Sequence, residues 1–389
     1  VFEYFKVEND KLITDTKQVQ AGVNIICKTK NSMEIIKKWY LVAVNNPELM
    51  IGDPRFCPNL KKGKQRDGAI DHRHDQSVWS VISKKYKVHV IDNLSGGHKK
   101  NLLHHKKNSL LKFEKIDIRN LKKNHSFFKK ADFVFHFAGI GDIVPSIENP
   151  VNYMETNIQG TIKVLEAARY NKIKKFVYSA SASCYGLNAS RIKENAKIDP
   201  KYPYALSKYM GEQAAFHWHK VYNLSVNSIR IFNAYGTRVR TTGAYGAVFG
   251  VFFKQKIKNK PFTIVGNGKQ SRDFVYVTDV VKAFFAAAKS NKSGQIYNVG
   301  GDNPQSVNKL ASLIGGMKTF IPDRPGEPRR TWANISKIKK ELKWKPTINF
   351  KNGVNKMLSE IKNWKDAPLW NKKSINVATK TWFKYMGKK

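Results

Sequence analysis

"KVHVIDNLSGG", residues 87–97, decides the fold. The β-branched residues Val88, Val90 and Ile91 lead into Asp92 and a glycine turn, which reads as a buried strand. The same pattern recurs downstream in "FEKIDI" (113–118), "ADFVFHFAG" (131–139), "KKFVYSASA" (174–182) and "SVNSIRIFNAYG" (225–236). Between these runs lie amphipathic stretches such as 152–171, where Ile158, Ile162, Leu165 and Ala168 fall at helical spacing and predict an apolar face. Strands alternating with helices imply an α/β fold, a Rossmann-like doubly wound parallel sheet.

Outward from this core the pattern changes. After Gly236 it loosens into "GTRVRTTGAYGAVFGVFF", which predicts a smaller C-terminal substrate lobe. Residues 1–85 do not continue the alternation, and "GDPRFCPNLKKGKQRDGAIDHRHD" reads as a long polar loop rather than a metal site. The predicted organisation is an N-terminal foreign segment (1–85), a Rossmann-like domain truncated at its start (86–236), a lobe that is mainly substrate-binding (237–365) and a helical tail (366–389). In the tail, Trp370, Trp382 and Phe383 suggest a helix docked on the main body. The chain begins at Val1 rather than Met, as a fragment or processed chain would.

The 70 lysines and arginines against 29 acids give a net charge of +41. The lysines are spread through every predicted element and no nucleic-acid-binding motif accompanies them, so the reading is a solvated basic surface that attracts anionic substrates, without a nucleic-acid partner. Cys27, Cys57 and Cys184 lack C-x-x-C spacing and indicate neither a disulfide framework nor a zinc site. No run approaches the roughly 18 apolar residues of a membrane span, and no signal-peptide pattern opens the chain. The expectation is a cytoplasmic protein without membrane association.

"YPYALSKYMGEQ" (202–213) sets Tyr204 four residues before Lys208, on one face of one helix. There an ammonium can lower the phenol pKa and make tyrosine an acid/base near neutral pH. Upstream, "YSASASCYG" (178–186) ends a predicted strand with small hydroxyl residues, and Ser181 or Ser183 can hydrogen-bond the hydroxyl that Tyr204 deprotonates.

With these motifs in this order, residues 86–365 resemble the extended short-chain dehydrogenase/reductase family, specifically its NAD-dependent nucleotide-sugar epimerases of the UDP-glucose 4-epimerase type. Other matching stretches are "DIRN", "HFAGIGDIVPSIENPVNYMETNIQGT", "RIFNAYG", "GNGKQSRDFVYVTDVV" and "RPGEPRRTWAN". The resemblance implies NAD as cofactor, a UDP-sugar substrate and a possible homodimer. It gives Tyr204, Lys208 and Ser181 the catalytic roles, with Lys208 also on the nicotinamide ribose. Asp92 and Asn93 take the adenosine ribose, where a carboxylate repels the 2′-phosphate of NADP. Asp117 and Ile118 take the adenine, Phe137, Ala138 and Gly139 the strand end beneath the cofactor, and Asn157 the helix beside it. Ser181, Ser183, Asn233, Arg272, Arg324 and Glu327 take the sugar and diphosphate, arginine being suited to paired phosphate oxygens.

Related dehydratases carry an Asp-Glu pair after the catalytic hydroxyl residue. Here Ala182 and Ser183 stand there, which points to redox-neutral epimerisation instead. Thr331 occupies a position where some epimerases hold a bulky tyrosine, so a larger, for example N-acetylated, sugar is admissible. One departure stands out. The family opens with a strand and a glycine loop that cradles the pyrophosphate, and no such loop precedes residue 87. A helix capped by Asp75, with Val78, Val81 and Ile82 inward, is the expected substitute for the first helix. Further upstream, "GVNIICKTKNSMEIIKKWYLVAV" and "RHDQS" resemble the C-terminal end of glycan-associated glycosyltransferases, and either "VNIICK" inserts as the missing strand or the sheet lacks its first strand. The alternative function is an impaired fused chain that binds nucleotide sugar without turning it over.

Overall fold

The structure is a computed structural model that describes residues 86–239 and 248–387. The N-terminal segment, the helix expected from Asp75, Cys27, Cys57 and most of the 242–250 glycine stretch lie outside the described residues.

The strands in chain order are β1 (Val88–Asp92), β2 (Leu111–Lys115), β3 (Phe133–His136), β4 (Lys175–Ser181), β5 (Val226–Ile231), β6 (Asn233–Tyr235), β7 (Phe262–Val265), β8 (Ser271–Arg272), β9 (Phe274–Tyr276), β10 (Gln295–Val299), β11 (Gln305–Ser306) and β12 (Lys318–Ile321). The main sheet is wholly parallel, in the order β10-β5-β4-β3. Its centre explains why. Along β4, Phe176, Tyr178 and Ala180 point into one core with Val164, Leu165, Ala168 and Ala215, while Val177 points into the opposite core with Phe284, Ala287 and Tyr297. A strand buried on both faces is rich in apolar residues and covered by helices on both sides. Helices Gly160–Tyr170 and Pro203–Tyr222 cover one face and Val277–Lys289 the other.

β1 and β2 form a separate parallel pair, with Val88 opposite Leu111 and Asp92 opposite Lys115. Among the described residues no strand joins this pair to β3. Tyr86, before β1, and Phe135 on β3 both pack against Phe285, at 5.8 and 5.9 Å between ring centres. The separation falls between β1 and β3, where the sequence leaves the family's first strand unplaced.

The C-terminal lobe encloses a core rich in phenylalanine: Phe249, Phe252, Phe253, Phe262 and Phe274, with Leu310, Met357 and Trp364. Its small sheets pair β12 with β7, β6 with β9 and β11 with β8. The 237–365 stretch also serves the main sheet, because β10 adds to β5 and helix Val277–Lys289 covers it.

The predicted helix across 152–171 is broken into an α-turn (Pro150–Met154), a π-turn (Glu155–Gln159) and an α-helix (Gly160–Tyr170). The extra residue of the π-turn rotates the face. Leu165 and Ala168 are buried as expected, whereas Ile158 and Ile162 stay half-buried and Asn157 and Thr161 turn inward.

Candidate active site

β4 ends in Ser181, whose hydroxyl donates to Ser183 Oγ at 3.0 Å and accepts the Ser183 amide at 3.2 Å. Opposite it, Pro203 opens the helix that carries Tyr204 and Lys208 one turn apart. The Tyr204 phenol hydrogen-bonds Ser181; burial pushes its pKa up and the Ser181 contact works against that rise. The Lys208 ammonium lies 4.8 Å above the Tyr178 ring, and burial lowers it to about 8, opposed by Glu212 one turn on. The expectation that Lys208 lowers the Tyr204 pKa is therefore corrected. Its ammonium rests on Tyr178 and beside Gly139, and burial dominates the phenol.

The loop after β3 closes the site from below. A Cβ on Gly139 would stand 2.9 Å from Asn157 Oδ1 and 3.6 Å from Lys208 Nζ, so only glycine leaves this space clear. Asn157, turned inward by the π-turn, accepts the Ile140 amide at 2.8 Å and donates to the Ile140 carbonyl at 3.0 Å and to Ser207 Oγ at 2.9 Å. Ser207 in turn donates to the Tyr204 carbonyl at 2.9 Å, so loop and Tyr204 helix are held in one network. Phe137 is 51% exposed, with its ring 4.4 Å from that of Phe284, while Ala138 packs at the core edge.

A second cluster forms at the carboxyl ends of β1 and β2. Asn93 donates to Asp117 Oδ2 at 3.1 Å, and Asp92 accepts the Leu94 amide at 2.6 Å. Gly97 folds back onto Asp92, leaving 3.2 Å between its Cβ position and the carboxylate. The guanidinium of Arg119 holds the Asp117 carboxyl well below the usual carboxylate range. Ile118 is buried under Gly160 and serves packing.

The third cluster comes from the C-terminal lobe. Arg272 donates to Glu327 at 2.6 Å, and Arg324 lies 3.9 Å from the other oxygen of the same carboxylate. Asn233 accepts from Thr331 Oγ1 at 2.7 Å, and that oxygen accepts the Asp273 amide. The Thr331 hydroxyl is thus engaged in organising the loop.

Several residues escaped sequence reasoning. Asp273 is fully buried and takes the Ala333 amide at 2.8 Å and the Asn303 amide at 3.3 Å, anchoring the stretch that carries Thr331. His136 lies buried beneath Lys208 and contacts Thr161 at 2.8 Å; burial, with Lys208 nearby, lowers it to about 3 and keeps it neutral. Tyr202 stacks on Tyr204, 6.4 Å between centres and 7° between planes. The only sequence signal for Tyr202 is its place in the "YPY" run. No cluster of metal-ligand residues occurs among the described residues, and no helix there is long and apolar enough to cross a membrane.

With this geometry established, similarity to known proteins is specific. The model of the NAD dependent epimerase/dehydratase family matches residues 77–300. A UDP-glucuronate 4-epimerase of Thermodesulfobacterium geofontis is 32% identical, over 74% of this chain and 91% of its own. The crystal structure of a UDP-glucuronic acid 4-epimerase from Bacillus cereus, in complex with UDP-glucuronic acid and NAD, matches with a TM-score of 0.68 at 30% identity, covering 74% of this chain and 94% of that one. A UDP-N-acetylglucosamine 4-epimerase from Methanobrevibacter ruminantium matches with a TM-score of 0.66 at 30% identity, covering 70% and 91%.

Proposed function

Because the chain belongs to the NAD dependent epimerase/dehydratase family, we propose that it inverts the C4 hydroxyl of a UDP-sugar. The observation that carries this reading is the meeting of Ser181, Tyr204 and Lys208 at the carboxyl end of β4, beside the Gly139 to Asn157 loop. Ligands of doubly wound sheets bind outside the carboxyl ends of the strands.

The residues present fit NAD at both of its ends. Asp92 offers an acceptor for the adenosine half, with Asn93 held beside it by Asp117, and the side-chain-free space at Gly139 lies beside Lys208 for the nicotinamide half. NAD, when bound, supplies reversible hydride uptake at the sugar carbon. Tyr204 takes the proton of the 4-hydroxyl and later returns it, Ser181 orients that hydroxyl, and Lys208 holds the ribose. Arg272 and Arg324 bind the diphosphate, with Glu327 keeping both guanidinium groups in place and Asn233 contacting the sugar. Ser183 supports Ser181. With Ala182 and Ser183 after Ser181, no second acid and base is present there to eliminate water. The intact Ser181, Tyr204 and Lys208 set favours turnover over binding alone.

Tyr204→Phe removes only the acid/base hydroxyl and should lower kcat by about 10²–10⁴-fold without loss of fold. The assay is interconversion of UDP-glucose with UDP-galactose, of their N-acetylated forms, and of UDP-glucuronate with its 4-epimer. Retained activity in the variant, or none in the parent with any of these substrates, refutes the reading.

The chain acts as a homodimer in this proposal. The surface groove of about 440 Å³ lined by Pro150, Val151, Met154 and Ile158, with Glu155 and Gln159, supports a second copy as its occupant.

A further inference from the structure

Helix Lys372–Met386 begins with a capping box, Asn371 and Ser374 each bonding the other's backbone, which fixes where it starts. Its buried stripe is Ile375, Thr379 and Trp382, at i, i+4 and i+7. The three positions do different work. Ile375 enters the phenylalanine-rich core of the C-terminal lobe. Another part of the helix packs against Ile143–Glu148, the short helix that follows the Gly139 loop of the cofactor-side domain. At the far end, the Trp382 indole donates to the Pro325 carbonyl at 2.5 Å, and its ring lies 6.4 Å from Tyr202. Met386 and Gly387 close over Gly326 and Pro325. Fifteen residues span roughly 22 Å, enough to bridge the two halves of the cleft.

Pro325 and Gly326 separate Arg324 from Glu327, so the indole bond grips the loop that presents the arginine cluster. Tyr202 is the second point of contact. It stacks on Tyr204 and hydrogen-bonds Ser183, and both Arg272 and Glu327 act on its phenol. One tryptophan thereby touches both the diphosphate loop and the aromatic wall beside the acid/base tyrosine.

We propose that helix Lys372–Met386 straps the sugar end of the cleft, and that Trp382 is a positioning residue that sets the hold on the nucleotide sugar through Pro325 and Tyr202. Trp382 touches no reacting atom. The inference rests on the reading of the Arg272, Arg324 and Glu327 cluster as the diphosphate site.

The test uses the full chain with Trp382→Phe, which keeps an aromatic ring and loses the indole donor, and Trp382→Ala. The probe is UDP, whose binding is read by calorimetry and needs no turnover. Trp382→Phe should weaken UDP binding about five- to tenfold, the scale of one lost hydrogen bond, with the loss in turnover falling mainly on KM rather than kcat. In the parent, UDP should slow amide exchange across 372–387. If Trp382→Ala does not fold, Trp382→Phe and the parent's exchange decide. Unchanged UDP affinity in Trp382→Phe, or no protection of the helix by UDP, overturns the strap. A parent that binds UDP but epimerises nothing overturns the proposed reaction and leaves the strap to stand on binding. A parent that binds no UDP overturns both.

Discussion

Asp273 shows what a single buried carboxylate does for this site. Burial raises its pKa to about 6, against the pull of amides from Ala333, Asn303 and Gly301. Since the folded value lies above the unfolded 3.8, the native state holds this proton more tightly. The stability it contributes is complete below about pH 4 and is lost as pH rises through about 6. That rise corresponds to about 3 kcal/mol. Asp273→Asn should abolish this fall between pH 4 and 6, measured as the difference between parent and variant in urea unfolding. Equal slopes in parent and variant would refute the assignment. Nothing in "SRDFVYV" announces this role, since Asp273 acts on backbone amides some 30 and 60 residues away. Tyr204 and Lys208 were legible because their relation is local, four residues on one helix. The protonation state of that pair was not, because it depends on how deeply the rest of the fold buries it.

At the scale of the element, the Tyr204 helix is locked to the sheet by a buried ion pair. Glu212 is fully buried and accepts from Arg230 on β5 and from Ser228 Oγ at 2.7 Å. Arg230 also donates to the Tyr185 hydroxyl at 2.9 Å and the Glu194 carbonyl at 3.0 Å, so it stays fixed and charged if Glu212 is neutralised. Glu212→Gln should therefore destabilise the chain by about 3–5 kcal/mol, read from denaturant unfolding. A loss below 1 kcal/mol would mean that the pair is not buried as described. Strand identities were readable from their apolar runs because a doubly buried strand leaves little choice of residue. The helix at 150–170 was readable as a helix but not in its face. A π-turn inserts one residue without any change in composition, and it is the π-turn that turns Asn157 toward the Gly139 loop.

Across the whole molecule, charge decides how two copies can meet. A chain of net charge +41 repels itself, and contact is least opposed where the surface carries no cations. Residues 150–162 contain no lysine or arginine, and this is the segment whose Val151, Met154 and Ile158 line the groove, with Val151 64% exposed. On the adjoining Tyr204 helix, Leu206 and Met210 are exposed one turn apart, while the nearby Lys208 is buried. Two paired helices whose largely apolar face carries Glu155 but no lysine or arginine of its own suit a two-fold contact, in which the same patch serves both subunits. A stable interface of this kind buries about 800 Å² per partner. Screening of the residual repulsion should tighten it, so the dimer fraction in sedimentation equilibrium should rise from low to moderate salt, opposite to an ion-paired contact. Ile158→Lys sets a cation from each copy into the groove and should yield monomers with the parent's far-ultraviolet dichroism. A monomeric parent at micromolar concentration, or an Ile158→Lys chain that still dimerises, places the contact elsewhere.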